Sequence, residues 1–323
     1  MIVPMGRPET AMPTLAALER QRLKPPGWEV ILVGVDAPRI AALFPGLPLR
    51  AEPLRARLNP AQTRIKGVAL ATGDWYLFVD DDIELREDFV GNLLHIIRDT
   101  PAVGAIGAQL PGKGAGLFAR LTDLSNFWSQ QSGQPGDRPW LYSAALAVSA
   151  AAYAAAGGFE PDLDYGEDIR LTRAVRGAGY RVVYDPALVA YHDHRRDTLP
   201  AMLRYFWHNG AHAHYLLREQ PELRAFNLWQ ALRGAVANLR ESYALNKGRV
   251  RGMGVLAPAI GVNYLLFQVS LEWHYQKALF AEGRRLNLSP VDRRQRHLVR
   301  AFDLFRARRR VRGAYHYLRA ALL

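Results

Sequence analysis

The chain has no cysteine among its 323 residues. That excludes a disulfide-stapled scaffold, a thiolate zinc site and a cysteine nucleophile. It also fits a cytoplasmic protein. The N-terminus, Met1-Ile-Val-Pro-Met-Gly-Arg-Pro, lacks a basic segment followed by a long apolar run, so no secretory signal is read there. No Gly-x-y or heptad period runs through the sequence, which excludes collagen-like and long coiled-coil architectures. No recognisable nucleic-acid-binding module is present. Negative charge is scarce in one part only. Residues 201–323 hold 21 Lys+Arg against 7 Asp+Glu, a balance of +14, whereas residues 1–200 hold 21 against 23. The cationic part should prefer anionic partners: lipid headgroups, phosphorylated substrates or nucleic acid. With 49% hydrophobic and 22% charged residues, the chain can bury a substantial core.

The first 198 residues alternate between strand and helix patterns. Trp28–Val35 and Trp75–Val79 read as buried strands, with further strands over Val103–Ala108, Leu141–Val148, Tyr180–Tyr184 and Ala187–Tyr191. Helices are expected over Thr10–Arg22 and Arg86–Arg98. A third, opened by Asn59 as N-cap and Pro60 at its first position, runs to about Ala71. This alternation predicts an α/β layer around a mostly parallel sheet, with residues 1–198 as one domain. Residues 199–323 read instead as a basic helical region, with helices over Leu199–Leu217, Asn227–Tyr243, Val255–Phe280 and Val291–Leu322. Met253–Leu271 carries no charged residue, and two readings stay open for it: a buried helix or membrane contact. The last helix is basic and amphipathic, a pattern suited to an anionic membrane surface or to an ordinary solvated face.

In such sheets ligands bind beyond the carboxyl ends of the strands. Asp36 and the triplet Asp80-Asp81-Asp82 both follow strands there. Adjacent carboxylates raise one another's pKa unless something positive lies among them. On an extended chain Asp80 and Asp82 would face the same way and could share a divalent ion. Oxygen ligation suits Mg²⁺ or Mn²⁺, whose shells substrate phosphates usually complete. Glu167 and Asp168 stand at a helix start, where the helix dipole favours an ionised carboxylate and simple capping is the plain alternative. His192 and His194 follow a strand and are either metal ligands or surface residues.

Together these residues carry a resemblance. Asn59, Arg64, Ala71-Thr-Gly-Asp-Trp-Tyr-Leu-Phe-Val-Asp80-Asp-Asp82, Ser143–Val148, Gly157-Gly-Phe-Glu-Pro, Tyr165-Gly-Glu-Asp168, Gly179–Pro186 and Tyr191-His192 stand in this order. In order and spacing the chain resembles the inverting family 2 glycosyltransferases of GT-A fold, over roughly residues 1–200. The resemblance implies a metal-dependent hexosyl or deoxyhexosyl transferase that uses a UDP-, dTDP- or GDP-linked donor. A hydroxyl of a glycan or lipid-linked acceptor would receive the sugar. Asp168, within the pair Glu167-Asp168, would be the general base. Asp80 and Asp81, with Pro4, Asp36 and Arg64, would lie along the donor site. Asp82 and His192 would hold Mg²⁺ or Mn²⁺. A cytoplasmic protein, peripheral at the inner face of the cell membrane, is expected, with no nucleic-acid partner.

The chain also departs from the pattern. Asp36 comes late after its strand, and Met5-Gly6-Arg7 stands where a Tyr-Asn pair is common. No Gln-x-x-Arg-Trp run of the processive synthases appears, which points to single addition. Gly112–Asp137 reads as a long loop contributing to the acceptor site, with Trp128 or Trp140 against a sugar ring; for Trp140 a core position is the preferred reading. Two competing functions are a nucleotidyltransferase and a non-enzymatic binder acting through the cationic C-terminal region. The first lacks a Gly-rich, Lys- or Arg-bearing phosphate loop after the first strand. The second lacks a binding module.

Overall fold

The computed structural model describes residues 1–213 except 115 and 132, together with 233–237, 239–240, 243–244 and 253–281. The chain divides into two compact units at Asp197 and Thr198. The first is built on a nine-stranded sheet in the order β3-β2-β1-β4-β8-β6-β9-β5, with a short β7 paired to β9. These strands are β1 (Ile2–Pro4), β2 (Val30–Gly34), β3 (Leu49–Pro53), β4 (Trp75–Val79), β5 (Ile83–Leu85), β6 (Val103–Gln109), β7 (Gly136–Asp137), β8 (Ala145–Ser149) and β9 (Arg181–His192). From β3 to β4 all pairings are parallel, β8 runs antiparallel to both neighbours, and β6 pairs with β9 in parallel. The sheet is therefore α/β and mixed.

Period-two alternation explains why these segments are strands. Val3, Leu32, Leu77 and Val79 enter one apolar cluster, while Ile2, Ile31, Val33 and Phe78 enter the other. Each strand thus buries both faces, as parallel strands covered by helices on both sides must. The helices are α1 (Pro8–Glu19), α2 (Ala37–Ala41), α3 (Pro60–Leu70), α4 (Phe89–Asp99), α5 (Leu117–Asn126), α6 (Ala150–Ala155) and α7 (Glu167–Gly177). Asn59 caps α3 as expected: its side chain accepts the Gln62 N–H at 2.7 Å, and Pro60 occupies the first helical turn.

The helix expected over Thr10–Arg22 is Pro8–Glu19, and four further differences from the sequence reading each have a local reason. The helix expected from Arg86 starts at Phe89, because the Arg86 N–H still donates to the Val189 carbonyl at 2.9 Å. The strand expected from Leu141 starts at Ala145, because the Leu141 and Tyr142 N–H groups donate to Thr172 Oγ1 and Gln130 Oε1 instead of a ladder. The two strands expected over 180–191 are one, β9, with a break in register that passes from Asp185 to Val189 around Pro186. Proline lacks a ladder donor, and the resulting bulge bends the strand. Gly112–Asp137 is not one loop: it forms α5, a short 3₁₀ turn at Trp128–Gln130 and β7, because Ala119, Leu121 and Leu124 have a core to enter.

The second unit contains α8 (Leu199–His212) and a helix over Met253–Ala281. Gly210 lets them meet, since a Cβ there would stand 2.5 Å from the Phe267 carbonyl oxygen. Ile260, Asn263, Ser270 and Leu271 are buried. Among the described residues no helix is long and apolar enough to cross a membrane. The helix expected over Val291–Leu322 lies outside the described residues, as do most of Asn227–Tyr243 and the end of Leu199–Leu217.

Gly34 ends β2 where a Cβ would meet the Met5 carbonyl oxygen at 2.8 Å, so β1 and β2 reach the rim together only because this position has no side chain. Gly34→Ala should cost about 1–3 kcal/mol through overpacking. Urea unfolding measures this as a lower midpoint at unchanged m-value.

Candidate active site

The parallel strands β1, β2, β3 and β4 all point their carboxyl ends to one rim, and the aspartate triplet stands there. Asp80–Ile83 is a turn, not an extension of β4: the Ile83 N–H donates to the Asp80 carbonyl at 3.1 Å. The expected alternation of side chains therefore does not apply, and the three carboxylates fan apart. Asp80 accepts a hydrogen bond from Arg64 Nη2 at 2.6 Å. Asp81 accepts the backbone N–H groups of Gly6 and Arg7 at 2.7 Å each, which fastens the turn to the corner between β1 and α1. Asp82 lies with Oδ1 3.3 Å from His192 Nε2 and Oδ2 4.0 Å from the Arg7 guanidinium. His192 reaches this place because β5 and β9 pair in the register Ile83 opposite His192.

These surroundings divide the electrostatics. Burial pushes the Asp81 carboxyl up, and the charges of Asp82 and Asp80 add to this, outweighing its two backbone hydrogen bonds. Burial opposes ionisation of Asp82 too, but His192 together with Arg196 and Arg7 holds its carboxyl below the usual range.

The second carboxylate group opens α7. Gly166, in the left-handed region at φ +73°, turns the chain so that Glu167 and Asp168 begin the helix. Asp168 Oδ2 accepts the Ser143 N–H at 2.9 Å and the Ser143 hydroxyl at 3.2 Å. Glu167 Oε1 accepts from Arg64 Nη1 at 2.7 Å. Burial raises both pKa values. Glu167 reaches about 7, with the Asp168 charge adding to burial and Arg64 opposing both. For Asp168 the Ser143 N–H and Arg64 oppose the rise.

Arg64 joins the two groups. It is 3% exposed, bridges Asp80 and Glu167, and has its guanidinium carbon 5.6 Å from the centre of the Phe159 ring. Burial disfavours its charge, yet Asp80, Glu167 and Asp168 hold it above the ordinary arginine value. Both arms of its guanidinium are engaged in ion pairs. A second link runs through adjacent residues: the Ala144 carbonyl accepts the Asp80 N–H at 3.0 Å, while Ser143 holds Asp168. Ser143 and Phe159 stood in quoted motifs without a role. Their positions, one ahead of a strand and the other after a Gly-Gly pair, carry no chemical signal.

Other expected residues lie less centrally. Pro4 ends β1 opposite Val33, two residues before Gly6, which makes the contact to Asp81. Asp36 stands before α2 and pairs with Arg39 at 3.8 Å rather than with the aspartate turn. Trp140 is half-buried against Tyr142, and the Trp128 side chain lies outside the described residues. His194 has both ring nitrogens engaged: Nε2 is 2.9 Å from Asp123 Oδ1, and Nδ1 accepts the Arg196 N–H at 3.1 Å. That leaves His192 as the histidine facing Asp82. Among the described residues no three His, Asp or Glu side chains converge on one metal-sized point. The 3.3 Å between Asp82 Oδ1 and His192 Nε2 is close to the spacing of neighbouring donors around an octahedral ion bound at about 2.1 Å, so this pair fits a cation whose remaining ligands come from phosphate and water.

Residues 6–153 match the sequence pattern of Glycosyl transferase family 2. They are a glycosyl transferase family 2 domain. The matched span includes the aspartate triplet and stops before Glu167 and Asp168. The chain is 27% identical over 167 residues to the pre-mycofactocin glycosyltransferase of Mycobacterium tuberculosis strain CDC 1551 / Oshkosh, covering 50% of this chain and 35% of that protein. The same protein of strain H37Rv matches with the same identity and coverage. The chain thus spans about a third of the length of these curated relatives. Among solved structures, the mannosyltransferase PcManGT from Pyrobaculum calidifontis, in complex with GDP-Man and Mn²⁺, superposes with a TM-score of 0.51 at 18% identity, over 99% of this chain and 84% of that one. The first unit has the GT-A fold of such glycosyltransferase structures.

Removing a partner from a buried ion pair leaves an uncompensated charge. Arg64→Ala should therefore destabilise the first unit by about 3–5 kcal/mol, and Arg64→Met with Glu167→Gln by clearly less. Chemical denaturation of the single and double variants measures the difference; equal losses would mean that Arg64 and Glu167 are not coupled.

Proposed function

We propose that the protein is a metal-dependent, inverting glycosyltransferase. It moves a sugar from a nucleotide-sugar donor to a hydroxyl of a glycan or lipid-linked acceptor. The observation that carries this reading is the junction of the aspartate turn and the Glu167–Asp168 pair through Arg64, with contacts of 2.6 and 2.7 Å. A group transfer needs a leaving-group site and a base within one molecule's reach, and this junction brings their candidates together.

In the proposed reaction the acceptor oxygen attacks the anomeric carbon. Its proton passes to the Asp168 carboxylate, and the bond from that carbon to the donor phosphate breaks, releasing a nucleoside diphosphate. Attack opposite the leaving group inverts the anomeric centre. General-base assistance of this kind is worth about 10²–10⁴-fold. Ser143 keeps Asp168 oriented through two hydrogen bonds. Asp82 and His192 would hold Mg²⁺ or Mn²⁺, which offsets charge growing on the departing diphosphate. Asp80, Asp81, Pro4, Asp36 and Arg64 belong to the donor side in this reading. The +14 balance of residues 201–323 suits an anionic membrane surface near a lipid-linked acceptor. Flotation with anionic liposomes should then weaken with salt, and flotation insensitive to lipid charge and salt would remove the membrane part.

Two variants separate the roles. Asp168→Asn should lower turnover at least about 100-fold with donor affinity nearly unchanged. Asp82→Ala should instead weaken Mn²⁺-dependent donor binding. Normal turnover in the first, or an unchanged metal titration in the second, would remove the corresponding role.

The pH dependence has a fixed sign. The base works ionised, and burial raises the Asp168 pKa, so its ionised fraction is lost as pH falls through a value above the ordinary aspartate one. The turnover profile should have its acid limb above about pH 4. A limb at or below that value would contradict the base assignment.

A further inference from the structure

We infer that the buried Asp123–His194 pair is a positioning pair, which fixes two aromatic walls around the His192 imidazole and thereby sets the divalent-cation affinity of Asp82 and His192. The inference rests on the metal role proposed for His192.

The two side chains are 6% and 2% exposed and 2.9 Å apart. The Arg196 N–H donates to His194 Nδ1, so the ring proton sits on Nε2, directed at Asp123. The proposed mechanism uses neither group. A buried carboxylate is costly unless it is hydrogen-bonded, and here its partner is a neutral imidazole.

The pair ties α5 to the end of β9. Asp123 lies on α5, and Phe127 follows one turn later at the helix end. The Phe127 ring packs edge-to-face on His192 at 4.9 Å, and the His194 ring packs on it at 5.4 Å and 89°. Both walls of His192 therefore come from the two ends of one hydrogen bond. Gly112, bridged to His192, leaves the space for Asp123: a Cβ there would lie 1.8 Å from Asp123 Oδ2.

His192 needs these walls because of what it lacks. A histidine that binds a metal usually donates its second nitrogen to a carboxylate or carbonyl, which fixes the ring. His192 Nδ1 is buried with no hydrogen-bond partner among the described residues. No hydrogen bond on that side orients the ring, so packing against Phe127 and His194 has to keep Nε2 toward Asp82.

The test is titration of the full chain with Mn²⁺ alone, counting free Mn²⁺ by electron paramagnetic resonance. Asp123→Ala should weaken Mn²⁺ binding about tenfold. Asp123→Asn should bind nearly as the parent, because its side-chain oxygen still accepts the His194 proton. Phe127→Leu, which removes a wall and leaves the pair intact, should weaken binding as well and serves if Asp123→Ala does not fold. His192→Ala should lose the site. Parent-like affinity in Asp123→Ala or Phe127→Leu, with loss in His192→Ala, would overturn the positioning role alone. Parent-like affinity in His192→Ala would overturn the metal reading and this inference with it.

Discussion

One guanidinium holds the centre of the first unit together. Arg64 is buried between Asp80 and Glu167, carboxylates that belong to different parts of the chain and would repel each other if left alone. At contact distance in a partly buried setting, two unit charges interact with about 4 kcal/mol. The cation converts that repulsion into a link between the β4 turn and the start of α7. Lysine would supply the charge but not the fork, whose two arms reach two carboxylates. The surrounding elements serve this placement: Asn59 and Pro60 start α3 so that Arg64 falls on its buried face, and Gly166 starts α7 so that Glu167 points back to meet it.

The arrangement also sets the two acids of α7 apart. Glu167 meets Arg64 directly, whereas Asp168 is held by the neutral Ser143. In the proposed reaction this division gives the pair different work: Glu167 anchors the cation that faces Asp80, and Asp168 remains available to accept a proton. Ser143 and Ala144 reinforce it from the opposite side, because consecutive residues of one backbone touch Asp168 and Asp80.

Much of this was legible in the sequence because it follows from local rules. Apolar runs located β2 and β4, Asn-Pro located α3, and Tyr-Gly-Glu-Asp located the α7 start. What escaped depended on long-range partners. Nothing local announces that Asp80–Ile83 closes into a turn, or that Asp81 takes the Gly6 and Arg7 amides from 75 and 74 residues earlier in the chain. α5 reads as a loop because glycines flank it and its few apolar residues look insufficient until the folded chain buries Ala119, Leu121 and Leu124. The Asp123–His194 bond was illegible for the same reason: its members are 71 residues apart, and neither lies in a motif.

The aspartate triplet is best understood through this dispersal. Three adjacent carboxylates facing one point would raise one another's pKa and favour protonation over function. Here each turns to a different partner: a buried cation, a pair of backbone amides, and a histidine. Only Asp82 retains an imidazole nitrogen as its nearest neighbour, a partner that is itself a metal donor. Asp80 and Asp81 spend their charge on holding the rim in shape, Asp80 through α3 and Asp81 through the β1–α1 corner. In the proposed reading the turn therefore offers one cation position instead of a broad anionic patch. A site of that kind needs its histidine held still, which places the burden of geometry on packing around β9 as much as on the acidic residues themselves.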